Sequence, residues 1–97
     1  MAFRIEWSPE ARDHLKLLST ADMRRAVDGA ERGLSDQPTS RTRNRKELRK
    51  NPLASWELRL GDLRVYYDVR EDAVVIVQAV GRKQRNELWI GSERVEL

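Results

Sequence analysis

Two arginines pose the first chemical question. Trp56-Glu57-Leu58-Arg59-Leu60 alternates apolar and polar residues, Gly61-Asp62 is a two-residue turn signal, and Leu63-Arg64-Val65-Tyr66-Tyr67-Asp68-Val69 supplies a return strand. With that turn, Leu60 faces Leu63, Arg59 faces Arg64, Leu58 faces Val65 and Glu57 faces Tyr66. Opposed residues point to the same side of a sheet. Trp56, Leu58, Leu60, Leu63, Val65 and Tyr67 then form a core face, and Arg59 and Arg64 stand together on the other. Like charges so placed are destabilising. Two resolutions are open: a phosphate held between two guanidinium forks, which suit bidentate oxyanion binding, or neutralisation by Glu57 or Asp68 from a diagonal position.

More cations surround this pair. Six basic residues between Arg41 and Lys50 (Arg41, Arg43, Arg45, Lys46, Arg49, Lys50) stand against one acid, Glu47. Arg82, Lys83 and Arg85 follow Gly81, either reaching the same face or forming an ordinary basic turn. The acids gather elsewhere, at Glu6, Glu10 and Asp13 and at Glu87, Glu93 and Glu96. The net charge is only +3 with 36% of residues charged, so the asymmetry carries the information. A positive face favours phosphates or an acidic protein partner, unless the basic loop is merely solvated surface. Trp89 can stack on a nucleobase or serve as a rim residue of the core. His14 has no second histidine or metal-ligand neighbourhood and reads as structural. No Gly-rich phosphate loop, serine–histidine constellation or metal motif is present, so no metal or cofactor is expected.

These residues need elements to position them. Phe3, Ile5 and Trp7 alternate with Arg4 and Glu6 as a short strand. Ser8-Pro9-Glu10 starts a helix carrying Ala11, Leu15 and Leu18 at helical spacing. Ser19-Thr20 breaks it, and Thr20 can cap a second helix with the stripe Met23, Val27, Ala30 and Leu34. Residues 35–55 read as a long, turn-rich loop with a helical turn near Lys46–Lys50; loops this long are more often functional than idle. Val74–Val80 is apolar on both faces and hence a central strand. Leu88, Trp89 and Ile90 offer a further short strand, broken by Gly91. The order predicts an α+β domain over residues 1–97: an N-terminal strand and a helical hairpin packed on a four-stranded, mainly antiparallel sheet, with the other face concave and free.

Other classes are set aside by composition. The 97 residues contain no cysteine, hence no disulfide framework or thiolate zinc site, in keeping with a reducing cytoplasm. Met1–Glu6 lacks the apolar run of a signal peptide. No stretch approaches the roughly 18–20 apolar residues of a membrane span, so no membrane partner is expected.

The Trp56–Leu60 and Leu63–Tyr67 pair, followed by Val74–Val80 closing on Val80-Gly81-Arg82-Lys83, resembles the RelE/ParE superfamily of toxins from type II toxin–antitoxin systems. The resemblance runs over nearly the whole chain and implies a RelE-like fold. For RelE-type members it implies a metal-independent, ribosome-dependent mRNA endoribonuclease that inhibits translation, in which a ribose 2′-hydroxyl attacks the adjacent phosphate. Carried onto this chain, Arg59 would be the base or a phosphate ligand, Arg64 would stabilise the phosphorane-like transition state, and Lys83 would be an acid or phosphate contact. Arg45, Lys46, Arg49, Lys50, Arg82, Arg85 and Trp89 would contact RNA. Glu57 departs from this pattern, standing where such nucleases often carry a second lysine; a carboxylate there can be a general base or repel RNA. Trp89 departs too, since Trp cannot donate a proton as Tyr or His can. ParE-type members share the fold, lack the nuclease set and poison DNA gyrase by binding it. An mRNA-cleaving toxin is therefore the first expectation, with a gyrase-binding toxin or an inactive, antitoxin-binding member as alternatives. The implied partner is a cognate antitoxin with an acidic, amphipathic segment.

Overall fold

The computed structural model describes residues 2–97. Strand β1 (Arg4–Trp7) leads into α1 (Pro9–Lys16), where Ser8 Oγ accepts the Ala11 N–H and Pro9 occupies the first turn. Helix α2 (Thr20–Leu34) starts one residue earlier than the sequence reading allows: Ser19 is the cap and accepts the Asp22 N–H. Its buried side is Ala26, Ala30 and Leu34, with Met23 and Val27 half-buried beside them.

Six further strands follow: β2 (Arg45–Glu47), β3 (Trp56–Leu60), β4 (Leu63–Arg70), β5 (Val74–Gln84), β6 (Glu87–Ile90) and β7 (Glu93–Val95). All seven strands share one sheet in the order β2-β3-β4-β5-β6-β7, with β1 parallel to the first half of β5 and every other pairing antiparallel. The helical pair on a mainly antiparallel sheet is as expected. The strand count is not four but seven, and the helical turn near Lys46–Lys50 is replaced by β2, which pairs with β3. Short polar segments gain strand geometry here from their neighbour's backbone groups and not from their own alternation.

The β3–β4 hairpin has the expected register, Arg59 opposite Arg64 and Glu57 opposite Tyr66. Gly61 takes the left-handed φ of +64° at its turn. The core against the helices comprises Trp56, Leu58, Leu63, Val65, Tyr67, Val75, Val77 and Val80 with Ala11, Leu15, Ala26, Ala30 and Leu34. Along β5 the alternation breaks: the pairing shifts between Tyr66 and Tyr67, leaving Gln78 without a partner on β4. Val77 and Val80 therefore both join the helix-side core, and Ala79 faces the other way.

On one edge of β5, β1 ends at Val77 and β6 begins at Gly81. Helix α1 bridges this break. The Ser8 N–H donates to Val77 O, Ser8 Oγ to Gln78 O, and the Val80 N–H to His14 Nδ1 at 3.2 Å. Backbone groups that no strand reaches are thus satisfied by side chains.

The second face of the sheet is not free. Ala54, Tyr66, Ala79 and Ile90 form a smaller core there, with Leu48, Leu53, Leu88 and Val95 packed on it. The segment 48–54 from one side and β6–β7 from the other close over the sheet and leave a polar cleft.

Candidate functional site

The cleft encloses about 760 Å³. Lys46 on β2 and Arg49, Lys50 and Asn51 after it line one wall; Lys83 at the end of β5, Asn86 and Leu88 line the other; Glu57, Arg59 and Tyr66 line it between them. Asn51 shapes the first wall. Its Nδ2 donates to Arg49 O and Ala54 O, and its Oδ1 accepts from the Leu53 and Ala54 N–H groups. That Asx-type closure presents Arg49 and Lys50 from a fixed turn. In the sequence Asn51-Pro52 marks a turn but not what that turn holds.

Glu57 dominates the cleft's polar network. It is only 8% exposed, and both carboxylate oxygens are engaged: Tyr66 Oη donates to Oε1 at 3.0 Å and Arg59 Nε to Oε2 at 3.0 Å. Burial, and the carboxylate beside it, push the Tyr66 phenol well above its ordinary value, so it stays a donor and is no proton acceptor. Lys46, Arg49, Lys50 and Lys83 form no ion pair among the described residues. Four unspent cations thus line the walls, with two neutralised arginines among them, Arg59 held by Glu57 and Arg94 paired with Glu87 at 2.9 Å; Glu47 and Glu96 line the cleft as well.

The remaining expected site residues are dispersed. Arg59 and Arg64 are opposed but do not converge on a shared anion: Arg59 is held by Glu57, and Arg64 Nη1 donates to Gly61 O at 2.7 Å and Leu63 O at 3.0 Å. Neutralisation by Glu57, one of the two resolutions open in the sequence, is the one adopted at Arg59.

Three residues expected to contact RNA lie on the helix side. Arg45 Nη1 donates to Gly33 O at 3.0 Å and Asp36 O at 3.1 Å, satisfying carbonyls at the end of α2. Arg82 pairs with Asp22 on α2 and with Asp62 in the hairpin turn. Trp89, opposite Arg82 on β6, lines a small recess of about 310 Å³ with His14, Leu17 and Leu18. Arg85 sits in the β5–β6 turn with φ +51° and is exposed. Asp62 also accepts from Arg25 Nη2 at 2.6 Å, and the arginines hold its carboxyl below the usual carboxylate range, Arg25 first. This acidic pair, Asp22 and Asp62, is a structural hub that spacing alone does not reveal.

Burial holds the His14 imidazole below its ordinary value, which suits its role as acceptor for Val80. It lies on the helix side, away from the cleft network. Among the described residues no group of three or more His, Cys, Asp or Glu is placed to hold a metal ion, and no helix is long and apolar enough to cross a membrane.

Residues 5–87 match the family model of the ParE toxin of the type II toxin–antitoxin system parDE. The chain belongs to this family of type II toxins. Two solved structures are similar to it. The toxin–antitoxin complex RelBE2 from Mycobacterium tuberculosis contains a chain 23% identical, matched over 86% of this chain and 93% of that one with a TM-score of 0.74. The archaeal RelE–RelB complex from Pyrococcus horikoshii OT3 gives 25% identity over 88% of this chain and 99% of the other, with a TM-score of 0.68. No curated protein matches the chain. The toxin's place in the RelE/ParE superfamily and its RelE-like α+β fold follow from these matches.

Proposed function

We propose that this toxin acts by binding, with the cleft as its grip, in the manner implied for the gyrase-inhibiting ParE-type branch, and that it does not cleave mRNA. The observation that carries this reading is the division of labour among its cations. Lys46, Arg49, Lys50 and Lys83 line the cleft unpaired; of the expected nuclease set, Lys83 shares the cleft with a neutralised Arg59, whereas Arg64 serves the hairpin turn and Arg82 and Trp89 belong to the helix side. A general acid–base pair must sit within hydrogen-bond reach of the reacting atoms. Tyr66 is a buried donor locked to Glu57, and His14 belongs to the helix-side packing. A cleft of unpaired cations around a locked Glu57–Tyr66 pair is suited to holding an anionic or acidic surface.

The same cleft gives a cognate antitoxin its target. An acidic, amphipathic segment, disordered when free, would lay carboxylates along the rim lysines and its apolar side on Leu88 and the neighbouring small core. Both similar structures are toxin–antitoxin complexes, in support of such a partner.

The test is induction of the chain with parallel pulse-labelling of DNA and protein synthesis, primer extension on cellular mRNA, and a gyrase supercoiling assay with the purified toxin. DNA synthesis should stop first, supercoiling should be inhibited and no new mRNA ends should form. New ends at defined codon positions would refute the binding reading in favour of the mRNA interferase.

A further inference from the structure

Glu57 is the buried acid of a cleft lined by six cations and by three less buried carboxylates, Glu47, Glu87 and Glu96. Its side chain is 10% exposed, whereas that of its partner Arg59 is 41% exposed and lines the cleft. Only Arg59 Nε is spent on the carboxylate. The guanidinium has further donors that point to solvent or ligand. Glu57 therefore does two things at once: it fixes the guanidinium plane, and it cancels its charge. Tyr66 donates to the other carboxylate oxygen and keeps the ion in place, and Lys46 sits opposite Glu57 on β2. An anion that approached Arg59 would meet a fixed negative charge within hydrogen-bond distance of the same group.

We propose that Glu57 is the specificity-determining residue of the cleft: by holding Arg59 it keeps nucleic-acid phosphates away from this part of the site, so that anions are taken only by the rim cations. This rests on the reading that the cleft takes an anionic partner. Arg59 is then a masked phosphate ligand, and Glu57 a positioning residue that acts through it.

The experiment follows a short fluorescein-labelled single-stranded RNA by anisotropy over a range of salt concentrations. Glu57→Gln keeps an acceptor for Tyr66 and removes the charge. It should tighten RNA binding on the order of tenfold, the scale of one charge-assisted contact. The salt slope should steepen by about 0.7, one cation's share on a single strand. Glu57→Gln combined with Arg59→Ala should return both to the wild-type level, which a merely structural role for Glu57 would not do. Unchanged or weaker RNA binding by folded Glu57→Gln overturns the proposal. Arg59→Ala in the wild-type background tests it without disturbing Glu57: a masked arginine should cost far less RNA affinity than Lys83→Ala, and equal losses overturn it. Charge reversal of Lys46 and Lys83 separates the two levels. If that variant arrests growth as the wild type does, the cleft reading itself fails; if arrest is lost while Glu57→Gln changes nothing, only the masking by Glu57 fails.

Discussion

Arg82 and Lys83 are neighbours in sequence and lie in opposite surroundings, and the contrast can be measured. Arg82 bridges Asp22 on α2 and Asp62 in the β3–β4 turn, and its side chain is 28% exposed. Lys83 points into the cleft without an ion pair. Replace each by Met, which keeps most of the aliphatic stem. Losing Arg82 removes two ion pairs that are partly shielded from water. Exposed pairs contribute up to about 1 kcal/mol each, so the sum is about 1–2 kcal/mol. Asp62 keeps Arg25 at 2.6 Å, which caps the loss. For a chain of this size each kcal/mol shifts the melting temperature by roughly 4–8 °C. Arg82→Met should therefore melt roughly 5–15 °C lower, yet arrest growth and bind its antitoxin as the wild type does at a temperature where it is folded. Lys83→Met should melt like the wild type and lose on the order of tenfold in antitoxin affinity, one charge-assisted contact. Thermal melts by circular dichroism and titration with the product of the neighbouring antitoxin gene read both. An Arg82→Met protein of wild-type stability with impaired binding would place Arg82 at the interface and refute the assignment of the two faces.

Three further outcomes are expected. The folded-state pKa of His14 lies below its ordinary 6.5, chiefly through burial, so the unfolded chain binds more protons in acid. Its contribution to stability is complete above about pH 6.5 and fades as pH falls through and below that value; His14→Phe should flatten this part of the stability–pH curve, and an unaltered slope would remove His14 as its source. Gly81→Ala would bring a Cβ to 2.6 Å from the Trp89 carbonyl, a backbone atom that cannot rotate away, and should destabilise by about 1–3 kcal/mol in urea titrations. Leu63 is fully buried between sheet and helices, and Leu63→Ala should cost about 2–5 kcal/mol by the same measurement.

The hairpin was legible because two independent signals agreed. Gly61-Asp62 fixes the turn and strict alternation on both strands fixes the faces, so the Arg59–Arg64 and Glu57–Tyr66 pairings follow from the sequence. The failures have physical causes. Arg45-Lys46-Glu47 carries no apolar alternation, and only the backbone of β3 makes it a strand. Gly91 ends the short strand as expected, with φ +63°, but the strand that follows it, β7, has no apolar alternation to announce it. The most consequential miss is the bulge at Gln78. With unbroken alternation from Val77, Arg82 would lie on the cleft side and Lys83 with the helices. The extra residue swaps them, delivering Arg82 to Asp22 and Asp62 and Lys83 to the cleft. In Val74–Val80 the one polar residue is Gln78, and a single glutamine among apolar neighbours does not by itself mark an inserted residue.

The choice between the two basic residue types then carries its own argument. The chain has only four lysines among 19 Lys and Arg residues, and three of them, Lys46, Lys50 and Lys83, line the cleft. Arginines are spent on the fold: Arg25 and Arg82 on the carboxylates at the hairpin turn, Arg45 on the end of α2, Arg64 on the turn carbonyls and Arg59 on Glu57. A planar guanidinium locks several acceptors in one geometry, whereas an ammonium on a flexible stem offers a strongly hydrated charge with no fixed fork. Phosphate recognition with a defined reacting geometry favours the first, and capture of mobile carboxylates along a folding segment tolerates the second. In this toxin Lys46, Lys50 and Lys83 line the cleft together with Arg49, the Glu57-held Arg59 and the Glu87-paired Arg94, an arrangement in keeping with the proposed grip on an acidic segment.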